Sequence, residues 1–371
     1  MRKRVLVAMS GGVDSSVAAA LLHADGYEVI GATMKLGCHG DADVADRPCC
    51  SLDSVNDARR VCERLGVPHY VLDLQSAFSR DVVRDFADEY ARGRTPIPCV
   101  RCNTFTKFRD LARKAAALDC DFVATGHYAQ VVDGALHRGL DPAKDQSYFL
   151  WGLARDVLAR LLLPVGGRTK AETRAAARAL GLQVVAEKPE SMDICFVPDG
   201  DHVAVLRREL GADAPALARG PFLDRDGRVL GEHDGYARFT IGQRRGLPGG
   251  FREPMFVVAI DPARRAVVLG PRDALLGRGI VVREANWLAS APPRPGDAVQ
   301  VQHRHRAAPA AATVVRIDGD EFEVALESPL PAIAPGQSLV CYDGTRVVGG
   351  GVIESGLAAS PGRATLPILA A

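Results

Sequence analysis

The sequence predicts an α/β protein: an N-terminal doubly wound parallel sheet, Rossmann-like, followed by a small helical and central region and a C-terminal β-barrel. Three observations predict it. Strand and helix signals alternate through about the first 140 residues, the pattern of a parallel sheet covered by helices on both faces. A glycine turn joins the first strand to the first helix. Beyond about residue 215, Asp226-Gly227, Asp318-Gly319 and Asp343-Gly344 give hairpin-turn signals among β-rich segments. At 371 residues the chain has room for several domains and a substantial core. We divide it into a sheet domain (1–145), a helical part (146–215), a small β-rich central domain (216–280), a β-barrel (281–357) and a tail (358–371).

Taken in order, Val5-Leu6-Val7-Ala8-Met9 is an apolar strand, and Val17-Ala18-Ala19-Ala20-Leu21-Leu22 is helical. Between them lies Ser10-Gly11-Gly12-Val13-Asp14-Ser15-Ser16. A glycine turn from strand to helix N-terminus gathers unpaired N–H groups and the positive end of the helix dipole where a phosphate can sit. The three serines add hydroxyl donors, and Asp14 could hold a magnesium ion bridging phosphates. The plainer reading is a turn with only a topological role, but the crowd of polar donors favours an anion site. GxxxxGK[ST] is absent, so this is no ordinary P-loop.

Glu28 to Met34 reads as the second strand, Ser54 to Leu65 as a helix and His69 to Asp73 as the third strand. Helices are expected over Ser76 to Arg92 and Thr104 to Leu118, before a fourth strand at Phe122 to Thr125. Ligands of such sheets bind beyond the carboxyl ends of the strands. The glycine turn, Met34 and Gly126-His127-Tyr128 all fall there. The polar loop between Gly37 and Cys50 carries Cys38, His39, Asp41, Cys49 and Cys50. Its spacing fits no common structural zinc pattern, and a mobile loop near the bound anion is the plainer account. A helical middle runs from Gln146 to Leu210, with a strong helix at Lys170 to Leu180 stopped by Gly181. Strands follow at Met255 to Ile260, Ala266 to Leu269, Ala312 to Ile317 and Glu321 to Leu326. The Pro-rich stretch Ala291 to Pro295 is expected to separate two halves of this β-rich part.

Net charge is +1, so a nucleic-acid partner would have to be held by local patches. Nine scattered cysteines, an odd number, do not suit a secreted disulfide framework. The first apolar run is too short for a signal peptide, and no stretch approaches the roughly 20 apolar residues of a membrane span. A cytoplasmic protein with reduced thiols is expected, without a membrane partner.

Two cysteine-bearing stretches stand out. Thr95-Pro96-Ile97-Pro98-Cys99-Val100-Arg101-Cys102-Asn103 precedes the helix expected near Thr104, and a cysteine at a helix start is a candidate nucleophile. Cys99-x-x-Cys102 alone fits a redox motif or half a metal site; no second such pair follows to complete a zinc ribbon. In Glu190 to Val197, Cys195 on its own reads as inert core.

The turn Ser10 to Ser15 resembles the PP-loop of ATP pyrophosphatases, which split ATP between the α- and β-phosphates. A longer set of motifs resembles the tRNA-specific 2-thiouridylase family. They are Thr95 to Phe108, Ala124 to Tyr128, Lys144 to Leu150, Ser191 to Phe196, Phe239 to Leu247 and Pro335-Gly336-Gln337, in order, spanning Val5 to about Ile353. The resemblance implies an ATP-dependent transferase that places sulfur on carbon 2 of the wobble uridine (position 34) in tRNA anticodons. It implies adenylation of the C2 oxygen with release of pyrophosphate, then displacement of AMP. Cys195 would receive persulfide sulfur from a carrier protein or cysteine desulfurase. Cys102 would complete the transfer, leaving a Cys102–Cys195 disulfide for a reductant to reset.

The same resemblance assigns ATP, with Mg2+, to Ala8, Met9, Ser10, Gly11, Gly12, Val13, Asp14, Ser15, Met34 and Gly126. It sets Ile97, Pro98 and Cys99 beside the target base. The rest of the anticodon stem-loop would meet His127, Lys144, Asp145, Gln146, Arg304, His305 and Gln337. Without it, Arg304, His305 and Arg306 read as a solvated strand face. One departure matters: many relatives carry Asp, given an acid/base role, where this chain has Cys99. Three alternatives remain: an iron–sulfur tRNA thiolase using Cys99-x-x-Cys102, an amidotransferase-type synthetase, and a non-catalytic ATP-binding protein. Nothing in the sequence resembles the glutaminase part that the second would need.

Overall fold

The computed structural model describes residues 2–37, 52–188, 194–197 and 200–358. The loop with Cys38, His39, Asp41, Cys49 and Cys50, raised above as a metal candidate, lies outside the described residues. The chain forms two compact units. The first comprises Met1–Val83, Pro98–Gly200 and Thr345–Val347; the second comprises Arg84–Ile97, Asp201–Gly344 and the chain from Val348.

In the first unit, β1 (Arg4–Ala8), β2 (Glu28–Lys35), β3 (His69–Asp73) and β4 (Phe122–Ala124) follow the expected alternation. A hairpin of β5 (Ala129–Val132) and β6 (Ala135–Arg138) and a short β7 (Leu161–Leu162) come next. The sheet has the order β3-β2-β1-β4-β7, all its pairs parallel. β1 is central and its Val5, Leu6 and Val7 are fully buried, as a strand covered on both faces requires. After β1 the chain adds strands on one side, then returns to β1's other flank with β4. The reversal lies between β1 and β4, so a crevice opens at their carboxyl ends. The turn between β5 and β6, Asp133-Gly134 with φ of 50° and 74°, has the left-handed torsions that an Asp-Gly hairpin supplies.

The helix expected from Thr104 instead begins at Pro98. Pro98–Arg101 runs into a π-helical stretch, Cys102–Phe108, and then α-helix Arg109–Ala117. Arg101 (φ −57°, ψ −45°) and Phe108 (φ −81°, ψ −40°) keep the backbone helical across both junctions. Proline is favoured at a first helical position because its missing N–H would lack a partner there anyway. Cys102 therefore sits in the second turn, not at the helix start; the first turn belongs to Cys99.

In the second unit, β8 (Arg219–Leu223), β9 (Val229–Asp234), β10 (Phe256–Asp261) and β11 (Ala266–Gly270) form a four-stranded sheet in the order β10-β11-β8-β9. The remaining strands are β12 (Leu276–Trp287), β13 (Ala298–Gln302), β14 (Ala310–Asp318), β15 (Glu321–Pro331), β16 (Ser338–Asp343) and β17 (Arg346–Ala358). In the order β12-β15-β14-β13-β16-β17, with β12 pairing back on β17, they close a six-stranded barrel and leave no open edge. Ile280, Val282, Phe322, Val324, Leu339, Cys341 and Ile353 are among its core. The stretch Ala291 to Pro295 joins β12 to β13 inside this barrel and does not separate two halves, because residues on both sides of it pair into one sheet. Asp318-Gly319 and Asp343-Gly344 make barrel hairpins, with Gly319 at φ 60° and Gly344 at φ 58°. No helix of the described residues is long and apolar enough to cross a membrane.

Candidate active site

The crevice at the carboxyl ends of β1 and β4 is built from backbone. Gly12 caps the helix Val13–Ala24 in extended conformation with no side-chain cap bond, so the first-turn N–H groups remain directed at the crevice. Ser10 N donates to Ser15 Oγ at 3.2 Å, and the Ser15 and Ser16 hydroxyls reach Gly12 O at 3.2 and 2.8 Å. These bonds hold the turn in shape. Gly11 has φ +70°, and a Cβ on it would stand 2.3 Å from the Ser54 carbonyl oxygen. A Cβ on Gly126, just past β4, would lie 2.5 Å from Ser15 N and 2.6 Å from the Asp14 carbonyl carbon. Only glycine lets these segments approach so closely. The result is a donor-lined cradle suited to phosphate. Ala8 and Met9 are buried beneath it, and Met34 sits half-buried towards the end of β2.

Two lysines that the sequence reading did not single out flank this turn. Lys170 Nζ lies 2.8 Å from both carboxylate oxygens of Asp14, and Tyr128 Oη donates to Asp14 Oδ1 at 2.8 Å. The ammonium stands 5.5 Å from the centre of the Tyr128 ring. Its side chain is only 13% exposed. Lys170 opens the helix Lys170–Ala179, whose start is fixed by a capping box between Thr169 and Glu172. Lys188 Nζ reaches Gly11 O at 3.2 Å and pairs with Asp57. The capping box was the sequence signal that could have placed Lys170; nothing local marks Lys188. Among the described residues no three His, Cys, Asp or Glu cluster to hold a metal ion, and Asp14 is already ion-paired. A magnesium ion entering this crevice would thus find its ligands mainly on bound phosphates, with Asp14 as a protein carboxylate.

The two candidate thiols belong to this same unit. Cys102 is buried at 6% exposure, whereas Cys99, three residues earlier on the same helix, and Cys195 are exposed. Next to Cys195, the Phe196 ring meets Phe78 edge-on at 5.6 Å. Phe78 ends the helix Gln75–Phe78, which packs on the Cys102–Phe108 stretch. The segment bearing Cys195 is thereby anchored on the helical layer that carries Cys102. Asn103 Nδ2 donates to Phe149 O at 3.2 Å and ties that helix to the turn after Gln146.

His127 Nδ1 lies 2.7 Å from Thr125 Oγ1, and its ring lies 5.7 Å from that of Phe108. Burial, then the charge of Lys107, pushes its pKa down to about 3. The ring is neutral at ordinary pH and can exchange hydrogen bonds but not charge.

The remaining candidates divide by what holds them. Asp145 accepts from Arg138 Nη1 (3.1 Å), Gly139 N (2.9 Å), Ser147 N (3.0 Å) and Ser147 Oγ (3.0 Å). Gln146 Oε1 accepts from Tyr128 N at 2.9 Å. Both therefore brace the turn next to His127, and Lys144 is half-buried beside them. Pro98 is buried and Ile97 half-buried. In the second unit, Arg304 Nη2 donates to Ile241 O (2.9 Å) and Ala332 O (2.8 Å). The backbone oxygen of His305 accepts from Gln302 Nε2 at 2.6 Å. Gln337 Nε2 donates to Thr95 O at 2.8 Å.

The family descriptions that match are the tRNA methyl transferase HUP domain over residues 3–199, the tRNA methyl transferase PRC-barrel domain over 210–271 and the aminomethyltransferase β-barrel domain over 277–353. The tRNA-specific 2-thiouridylase MnmA of Geobacter metallireducens is 47% identical over 366 residues, covering 96% of this chain and 98% of the relative. That of Rhodospirillum centenum is 48% identical, covering 98% of this chain and 95% of its own. That of Rickettsia bellii is 45% identical, covering 94% and 95%. With near-half identity along nearly the whole length, this chain belongs to the tRNA-specific 2-thiouridylase family.

Proposed function

We propose that the protein carries out ATP-dependent 2-thiolation of the wobble uridine in tRNA. The observation that carries this reading is the sharing of one unit by a phosphate cradle and the two cysteines, with Cys195's neighbour Phe196 packed on the layer that bears Cys102. A uracil carbonyl is a poor electrophile because its oxygen leaves badly. Attack of that oxygen on the α-phosphate of ATP gives an adenylate and releases pyrophosphate, and sulfur then displaces AMP.

In this reading the first-turn N–H groups behind Gly12 receive phosphate oxygens, with Ser10 to Ser15 and Gly126 shaping the pocket. Lys170 moves from Asp14 to the phosphates, where its charge offsets the charge built up as pyrophosphate leaves. Asp14 is then open to a magnesium ion brought in with ATP. Persulfide sulfur arrives on exposed Cys195, within reach of a donor protein. Buried Cys102 completes the transfer: the sulfane sulfur leaves as thiocarbonyl sulfur, and the two thiols become a Cys102–Cys195 disulfide that a reductant reopens. An unstacked anticodon base is accessible to such a pocket, and neutral His127 suits a hydrogen-bonding role beside it. Arg304, His305 and Gln337 are proposed as tRNA contacts of the second unit. The test is release of pyrophosphate that depends on unmodified tRNA, together with mercury-gel retardation of the product; release without tRNA, or none, would overturn the proposal.

A further inference from the structure

We propose that Cys99 is the resolving thiol of the reaction: it attacks the Cys102 sulfur of the Cys102–Cys195 disulfide and moves the oxidised bond onto Cys99–Cys102. The inference rests on the function proposed above and concerns the step that follows sulfur transfer. Cys99 and Cys102 stand at positions i and i+3 of one helical run, Pro98–Arg101 continuing into Cys102–Phe108, so their side chains leave the same face. Cys99 is exposed while Cys102 is buried. Cys195 is exposed as well, so what the exchange adds is a Cys195 thiol freed for the next donor before any reductant acts, with the oxidised bond held on the exposed end of the Cys99–Cys102 helix.

The exchange balances without a further reagent. The Cys99 thiolate gives its electron pair to the Cys102 sulfur, the Cys99–Cys102 bond forms, and the Cys102–Cys195 bond breaks. Its electron pair leaves on Cys195, which takes up a proton and is ready for the next persulfide. The reductant already needed by the cycle then opens Cys99–Cys102 from its exposed end. Helical i, i+3 Cβ atoms sit about 5–6 Å apart, against about 3.5–4.5 Å in a disulfide. The first helical turn must tighten to close the bond.

The test uses the full-length protein with ATP, a persulfide donor and tRNA transcript. One turnover is run without reductant, then acid-quenched, alkylated and mapped by peptide mass spectrometry, with 2-thiouridine measured in the same sample. The expected result is a Cys99–Cys102 disulfide and an alkylated Cys195 in the wild type, and a Cys102–Cys195 disulfide in Cys99→Ser. With reductant limiting, the steady-state rate of Cys99→Ser relative to its own first turnover should fall about tenfold below the wild-type ratio. A wild-type disulfide that stays at Cys102–Cys195, or equal ratios in the two proteins, would overturn the proposal. So would iron that co-purifies with the wild type and is lost in Cys99→Ser, because thiols ligating a cluster are not available for exchange. If no 2-thiouridine forms in the first turnover, the function proposed above fails and this step falls with it; the separate nucleoside readout identifies that case.

Discussion

Replacing Lys170 with methionine separates its two possible duties. In the structure its ammonium touches both oxygens of Asp14 at 2.8 Å with only 13% of its side chain exposed. If it transfers to phosphate when ATP binds, the variant loses a hydrogen bond between charged partners, worth about 1.5–3 kcal/mol. At about 1.4 kcal/mol per tenfold change, that is roughly a 10- to 150-fold fall in kcat/KM for ATP. Stability should change much less. Asp14 is 31% exposed and keeps its bond from Tyr128, so breaking the ion pair should cost about 1 kcal/mol or less. The assay is tRNA-dependent pyrophosphate release over a range of ATP concentrations, with a thermal melt of each protein. A variant whose kcat/KM stays within about twofold of wild type while its melting temperature drops would refute the reasoning and leave Lys170 as a structural counter-ion.

Gly126→Ala places a methyl 2.5 Å from Ser15 N, so the turn after β4 must move off the cradle; nucleotide binding by calorimetry should weaken by at least tenfold. Cys102→Ser and Cys195→Ser should each abolish thiolated tRNA on a mercury gel, whereas Cys99→Ser with excess reductant keeps much of it; an active Cys195→Ser would sink the assignment. His127, with its pKa lowered from 6.5 to about 3 by burial, takes up a proton more readily unfolded than folded across that interval. Its contribution to stability is therefore intact above pH 6.5 and is lost as pH falls towards 3, at no more than ~1.4 kcal/mol per pH unit. Urea melts of wild type and His127→Asn across this range should diverge in that direction, and parallel curves would contradict it.

What the sequence made legible was local and periodic. The strand Val5 to Met9, the glycine turn and the third strand, His69–Asp73, were readable because apolar runs and glycine torsions are written in adjacent residues. The barrel hairpins at Asp318-Gly319 and Asp343-Gly344 were readable for the same reason. The helix expected near Thr104 begins about six residues earlier, because Pro98 suits a first helical position. The Pro-rich stretch after β12 looked like a boundary because composition cannot say whether the strands on either side pair. Lys170 was missed because its partner Asp14 is 156 residues away, and only the fold brings them together. The chemistry assigned to Cys195 came from resemblance to a family, since a single cysteine beside phenylalanine reads locally as core.

The central claim is that this chain puts sulfur on carbon 2 of a tRNA uridine at the expense of ATP. Purified protein incubated with ATP, a persulfide donor and unmodified tRNA transcript, followed by nucleoside mass spectrometry, tests it directly. The account predicts a 2-thiouridine peak that requires ATP, Cys102 and Cys195 together. A 2-thiouridine yield unchanged in Cys195→Ser, or tRNA left unmodified while ATP is still split, would contradict it.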